Sequence, residues 1–408
     1  MAIDLLRQLT ARWPDPEPAH AALLKAAGIE TVVLSGAPSS GFAAAASPAG
    51  LAITNEAALA SAVTRGVWPG IRRPARKLDW EDDVVASAST EPWIDSNLYL
   101  APLEKALNGN QPPLIAYRAG PGSGLAAGRS VPFETLEVAL VEARLQGGNY
   151  ILSIDPRYRA ALLARNSAAL AAWASLGRTA AWLREQASMF GRQAPAALTA
   201  LVEPANHATA EIANLLYRRN ASPRLASAAA IPEPDSKRIL VLVAASLKTV
   251  PAAVWSHAMA GSTVVIDDPG LIRPAWRRVK QEPDRDFFSI GSGRVAVYRK
   301  RVADPSEFAL DMIDLIGHRR RVARVWNALS AVVFSTAGPL PGEALLHIVN
   351  YGAAQKEELQ ARIDGHFSQA TLLRPEAPPV PLKTRSRGLA TEVFLPTLQR
   401  VAVVRFHA

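Results

Sequence analysis

The chain has no cysteine. That removes disulfides, thiolate metal sites and cysteine nucleophiles at one stroke. It also lacks any run of 18 or more uncharged apolar residues. The most apolar stretch, Ile239 to Leu247, has the length of a strand, so no membrane-spanning helix is expected. The opening residues Met-Ala-Ile-Asp-Leu-Leu-Arg carry an acid at Asp4 and no long apolar segment, so they do not read as a signal peptide, and the cytoplasm is the default expectation. Histidine is scarce: there are seven, and none between His20 and His207. The N-terminal half therefore lacks the residues from which hydrolytic metal sites and Ser-His-Asp triads are usually assembled. No HExxH or EF-hand loop occurs, and no metal and no cofactor is expected.

The balance of charge is basic, +9. Arg72, Arg73, Arg76 and Lys77 form one cluster, and His318, Arg319, Arg320, Arg321 and Arg324 another. Neither interleaves aromatic residues in the manner of a nucleic-acid module, so an arginine-rich solvated surface is the expectation and nucleic acid is not. Gly122, Gly124 and Ala127 fit a GxGxxA spacing after an apolar run. Arg129-Ser130-Val131-Pro132 follows in place of a helix N-terminus, so no dipole awaits a pyrophosphate and a plain loop is expected.

Short apolar runs alternate with helical segments through residues 1–192. Strands are expected at Leu9–Trp13, Thr31–Leu34, Leu51–Thr54, Val67–Ile71, Val84–Ala88, Pro113–Tyr117, Val131–Phe133 and Tyr150–Ile154. Helices are expected at Pro16–Ala27, Glu56–Arg65, Asn97–Leu107, Glu134–Leu145 and Arg157–Phe190. Buried strands alternating with helices mean a parallel sheet, and eight such units suit a compact TIM-like β/α barrel; a seven-stranded or distorted barrel is the alternative. Residues 193–318 repeat the alternation on a smaller, Rossmann-like scale, with a last helix opened by Asp304-Pro305-Ser306-Glu307. Residues 319–408 turn to period-2 runs between turns, which predicts an antiparallel β-sandwich with Pro375, Pro378, Pro379 and Pro381 between strands. His347 and His366 fall in this part, where hydrogen-bonded structural roles are expected.

The densest polar and aromatic segment is Glu91-Pro92-Trp93-Ile94-Asp95-Ser96-Asn97. In a barrel it sits at the C-terminal rim, where active sites of that fold are built. Tyr117 and Arg118, Glu134 and Asp155 follow later strands at equivalent rim positions. Several carboxylates at strand ends are what glycoside hydrolysis needs, one acid to protonate the leaving oxygen and one base or nucleophile. The same residues also suit plainer work. Asp95 or Ser96 and Asp155 are good helix caps, and Glu134 complements a helix dipole.

Arg238-Ile239-Leu240-Val241-Leu242-Val243, Val250-Pro251-Ala252-Ala253-Val254 and Ser262-Thr263-Val264-Val265-Ile266-Asp267, followed by Ala344-Leu345-Leu346-His347-Ile348-Val349-Asn350-Tyr351, resemble the middle and C-terminal parts of β-galactosidase-type glycoside hydrolases. Those enzymes join a barrel, an amidotransferase-like trimerisation domain and a C-terminal β domain. The resemblance implies a carbohydrate ligand and a retaining hydrolase, with Glu91 as acid/base and Asp155 or Glu134 as nucleophile. Trp93, Asp95, Asn97, Tyr117 and Arg118 would line the sugar site. The sequence departs from the family where Thr90, not Asn, precedes Glu91 and where Asp155 stands in place of Glu. The alternative is accordingly a catalytically inactive barrel that serves as a sugar-binding or assembly module. Amidotransferase chemistry in the middle part is excluded by the missing cysteine. Self-association through residues 193–318 is also expected. The resemblance implies it, and Trp255, Met259, Leu271, Ile272 and Trp276 lie near Arg273, Arg277 and Arg278, the composition of interface cores.

Overall fold

The computed structural model describes residues 3–59, 63–72, 93–117, 131–234, 240–317, 320–352 and 354–408. In the first half the strands are β1 (Thr10–Arg12), β2 (Thr31–Leu34), β3 (Ala52–Asn55), β4 (Val63–Gly66), β5 (Gly70–Arg72), β6 (Trp93–Asp95), β7 (Leu114–Tyr117) and β8 (Asn149–Ser153). Six of them form one sheet in the order β3-β2-β1-β8-β7-β4, and every pairing in it is parallel. The order is cyclic, since the first strand lies beside the last. A doubly wound sheet instead reverses at a switch point and sets its first strand beside a middle one. Among the described residues no ladder joins β3 to β4, the pair that would close the ring.

Residues in register share a face. Ala11, Val32, Leu34, Ile115, Tyr117, Tyr150 and Leu152 point to one side and join the main core. That core also takes in α1 (His20–Ala26), α2 (Ser40–Ala46), α3 (Leu100–Leu107), α4 (Thr135–Leu145), α5 (Pro156–Leu163) and α6 (Ser167–Glu185). The opposite side carries only a small cluster of Val33, Leu59, Ala116 and Ile151, with Leu5 against it. The helices thus cover one face of the sheet, as they do outside a barrel. α6 crosses the end of α1 so closely that a Cβ at Gly177 would lie 2.6 Å from the Ala27 carbonyl oxygen.

The middle part comprises β9 (Leu198–Val202), α7 (His207–Arg218), β10 (Arg224–Ser227), β11 (Val241–Val243), α8 (Val254–Met259), β12 (Thr263–Ile266), β13 (Arg277–Gln281), β14 (Arg285–Ile290), β15 (Gly293–Tyr298) and α9 (Pro305–Ile316). Its seven-stranded sheet runs β10-β9-β11-β12-β15-β14-β13, parallel as far as β15 and antiparallel beyond it. α9 begins as expected, with the Asp304 side chain accepting from the amides of Ser306 and Glu307.

The C-terminal part comprises β16 (Ala323–Trp326), β17 (Ala331–Ala337), β18 (Glu343–Asn350), β19 (Lys356–Asp364), β20 (Gln369–Arg374), β21 (Ala377–Leu382), β22 (Thr384–Arg387), β23 (Ala390–Leu398) and β24 (Val401–His407). They make antiparallel sheets ordered β16-β19-β23-β22 and β17-β18-β24-β20-β21. Leu359, Ala361, Val393 and Leu395 of the first share a core with Val333, Leu346, Ile348, Val404 and Phe406 of the second. The alternate residues Val332, Phe334, Leu345, Val349, Val401 and Val403 face the other way and join the core of the first half. The five-stranded sheet is therefore covered on both faces, which is why β17 is buried along nearly its whole length. α4 lies against it and is buried almost all round, including the acids Glu137 and Glu142.

Several expectations are corrected. Glu56–Arg65 is not a helix. Its described residues hold a short 3-10 turn, Glu56–Ala58, and β4, because Val63–Gly66 find a parallel partner in β7 and tertiary pairing overrides helix propensity. Val67–Ile71 is not one strand: a loop through Pro69 separates β4 from β5, which pairs antiparallel with β6. Val131–Phe133 is not a strand, since Pro132 has no N–H for a ladder. Pro378, Pro379 and Pro381 lie inside β21 and not between strands; β21 is an edge strand, where a missing donor costs little. β13, β14 and β15 add an antiparallel half that a purely alternating reading lacked. The strand expected at Val84–Ala88 and the glycine loop at Gly120–Gly124 lie outside the described residues.

Candidate functional site

Arg12 is the last residue of β1 and lies in register with both Val33 and Ser153, so it stands on the face turned away from the helices. Glu56 follows β3 directly. The two meet in a bidentate pair, Nε to Oε2 at 2.9 Å and Nη2 to Oε1 at 2.7 Å. Arg12 Nη1 also donates to Ser153 Oγ at 2.9 Å and to the Tyr117 carbonyl at 3.4 Å, and Ser153 Oγ donates to the same carbonyl at 3.1 Å. One guanidinium thus braces the C-terminal ends of β1, β3, β7 and β8. Planar fork geometry suits Arg to this, and a lysine could not make the same set of bonds. Trp68, just after β4, stands edge-on to Tyr117 with ring centroids 4.5 Å apart. Its indole N–H is buried with no hydrogen-bond partner among the described residues.

The loop bearing Trp68 is held by Asn97. Its Oδ1 accepts from Val67 N at 2.7 Å and its Nδ2 donates to Val67 O at 2.9 Å. Asn97 is itself fixed by Glu142 of α4, which accepts from Asn97 N at 2.8 Å, Asn97 Nδ2 at 3.0 Å, Ser96 Oγ at 2.7 Å and Tyr351 Oη at 2.5 Å. Burial pushes the Glu142 carboxyl up to about 7, against these hydrogen bonds, which favour the anion. Tyr351 comes from the C-terminal β part, so one buried carboxyl ties α4, the segment after β6 and the β18–β19 turn together.

The expected site residues divide as follows. Asn97 and Tyr117 lie in this assembly, both buried. Trp93 is 42% exposed; its N–H donates to Asp95 Oδ1 at 3.0 Å, and the Arg218 guanidinium of α7 lies 3.5 Å over its ring. Asp155 caps α5, accepting from Arg157 N at 2.8 Å with Pro156 in the first turn. Glu134 stands at the N-terminus of α4, 3.7 Å from Arg400 Nη2. Glu91 and Arg118 lie outside the described residues. Among the described residues no group of three His, Asp or Glu side chains is arranged to hold a metal, and no helix is long and apolar enough to cross a membrane.

Sequence reasoning missed Arg12, Glu56 and Glu142. Arg12 carried a signal, an arginine at the end of an otherwise apolar first strand. Glu56 falls at the start of one expected helix and Glu142 inside another, Glu134–Leu145, where nothing local marks it.

No family model and no curated protein sequence matches the chain. Among solved structures the chain is similar to alpha-L-fucosidase isoenzyme 2 from Paenibacillus thiaminolyticus, at 9% identity and a TM-score of 0.45 over 72% of this chain and 60% of that one. It is also similar to a GH42 beta-galactosidase from G. stearothermophilus, at 13% identity and a TM-score of 0.47 over 76% of this chain and 56% of that one. A third similarity is to a rhamnosidase from Novosphingobium sp. PP1Y, at 15% identity and a TM-score of 0.45 over 96% of this chain and 39% of that one. The chain therefore spans 60% or less of the length of each. At such identities no residue role transfers; what the chain shares with these glycoside hydrolases is a resemblance of chain path.

Proposed function

We propose that the chain is a carbohydrate-active protein whose sugar site lies at the C-terminal rim of the parallel sheet. The observation that carries this reading is the convergence there of Arg12, Glu56 and Ser153, drawn from three strand ends, with Arg12 and Ser153 on the face turned away from the helices. Ligand sites hold a few fixed polar groups, and barrel folds build them at this edge. The cyclic strand order supports a TIM-like barrel completed between β3 and β4, within a division of the chain into 1–192, 193–318 and 319–408.

The hydrolytic form of the reading assigns Glu91 as acid/base and Asp155 or Glu134 as nucleophile, with Trp93, Asp95 and Arg118 at the sugar. Retention asks for carboxyls about 5 to 5.5 Å apart. The non-catalytic form, a sugar-binding module, is favoured by one observation: Asp155 is engaged as a helix cap and Glu134 faces Arg400. A panel of chromogenic aryl glycosides, followed by a glycan array, separates the two. Turnover abolished in Glu91→Gln supports hydrolysis. Absence of turnover with saturable glycan binding supports the module. Neither turnover nor binding sinks the whole reading. In either form Arg12→Met is expected to weaken sugar binding by roughly tenfold, the worth of one charge-assisted hydrogen-bond set. Titration calorimetry with the best glycan checks it, and unchanged affinity removes Arg12 from the site.

Self-association through residues 193–318 belongs to the same proposal. Met259, Ile272 and Val279 are 57%, 36% and 49% exposed, while Trp255 and Trp276 meet edge-on with each other and pack, partly buried, against the core beneath them. Light scattering at micromolar concentration is expected to give a multiple of the chain mass; a monomer ends this part.

A further inference from the structure

A cavity of about 280 Å³ lies where the first half, the middle part and the C-terminal β part meet. It is not the rim. Asn110 and Gln146 precede β7 and β8, so the cavity opens near the N-terminal ends of those strands, the opposite edge of the sheet. Lys105, Arg192 and Arg224 line it, and among the described residues no Asp or Glu does.

The charged ends of two of these cations reach one short stretch of chain, and Arg192 belongs to that stretch. Lys105 Nζ donates to Gly191 O at 3.4 Å and to Gln146 O, beyond the end of α4, at 2.7 Å. Arg224 donates through Nε and Nη2 to Ala194 O at 3.2 and 3.1 Å. Arg192, between them, donates to Ser188 O at 2.8 Å and Gly338 O at 3.1 Å. Carbonyls three residues apart are separated by roughly 10 Å at most. The approach of Lys105 is built into the backbone. Gly147 and Gly191 cross so closely that a Cβ at Gly147 would lie 2.5 Å from both Gly191 Cα and Lys105 Nζ.

Main-chain carbonyls hold Lys105 and Arg192 but do not neutralise them. An ammonium has three donors and a guanidinium five. The contacts of Lys105 and Arg192 to described residues leave donors over, and none is to a carboxylate. Burial lowers the Lys105 amine below its ordinary value, with no acid to offset it. The hydroxyls of Ser222 and Thr336 are in the same lining. Gathering like charges in a partly desolvated cavity is unfavourable until an anion joins them. A liquid water occupies about 30 Å³, so the space is several times that of one water and admits a tetrahedral oxyanion.

We propose that this junction cavity binds a phosphate or sulfate group, held by Lys105, Arg192 and Arg224. The proposal is independent of the sugar site. Calorimetry with inorganic phosphate, at ionic strength held constant with chloride, is expected to show saturable binding at one site per chain. Arg192→Gln is expected to weaken it by about tenfold, the loss of charge-assisted hydrogen bonds. Lys105→Gln is expected to weaken it further. Should that variant fail to fold, Arg192→Gln alone decides. A hexose 6-phosphate titrated in parallel separates the sources: tighter binding than phosphate identifies an esterified ligand, and equal binding the free ion. No saturable heat with either probe, or wild-type affinity in Arg192→Gln, overturns the proposal.

Discussion

Replacing Glu142 by alanine is expected to lower the stability of the protein by about 3 kcal/mol, read as a shift in the urea midpoint. The carboxyl is fully buried and receives four donors. Without it, Ser96 Oγ and Tyr351 Oη still meet at 2.8 Å and Asn97 Nδ2 keeps Val67 O. The Asn97 backbone N–H is left orphaned beside a new cavity, and those two terms set the cost. The same group makes stability depend on pH. Its folded-state value of about 7 lies above the ordinary 4.5, with burial the main cause. A carboxyl raised in this way contributes stability fully present below pH 4.5 and lost as pH rises through about 7, because the folded state holds the proton that the unfolded state has released. Between pH 4.5 and 8 the loss amounts to about 3 kcal/mol. Glu142→Gln has no such proton. The difference in unfolding free energy between wild type and this variant should therefore fall by that amount across the window; a constant difference would falsify the assignment.

Trp173→Ala is expected to cost about 3–5 kcal/mol, the range for truncating a buried tryptophan. Trp173 is 1% exposed on α6. Its ring lies 6.3 Å from Trp13 and 6.1 Å from Tyr158, the latter edge-on, and its N–H donates to Leu23 O of α1 at 2.9 Å. It thus pins α6 to α1, to α5 and to the residue that follows Arg12. Differential scanning calorimetry should show a fall in Tm for the alanine variant, and Trp173→Phe, which refills most of the space, should recover more than half of it. Full stability in Trp173→Ala would mean that α6 is held elsewhere, for instance at the Gly177–Ala27 crossing.

Local signals in the sequence were read correctly where one residue type has one physical job. Thr31–Leu34 and Thr263–Ile266 are runs of β-branched and apolar residues buried on both faces, and both are strands, the first at the expected bounds. Asp304-Pro305 and Asp155-Pro156 open helices because a carboxylate and a fixed φ suit the first turn. Period-2 runs gave the C-terminal strands. The misses are of another kind. β4 shows no strong strand signal, and its partner lies some fifty residues away in β7. β21 carries three prolines and is a strand only because it sits at an edge.

The rim shows the same division. Trp93, Asn97 and Tyr117 stood out as polar or aromatic residues near strand ends. Nothing local joins Arg12 to Glu56, which are 44 residues apart, or Glu142 to Tyr351, 209 apart. By itself the sequence determined the classes of segment, the absence of cysteine chemistry, and the switch from α/β to antiparallel β. Composition, period and caps act over a few residues, so they are legible without a fold. The cyclic order of the sheet, the burial of both acids of α4 and the gathering of cations in the junction cavity were decided by the tertiary structure. Each depends on which face of an element is covered and by what, and that is set by long-range packing, where one helix meets a sheet on either side.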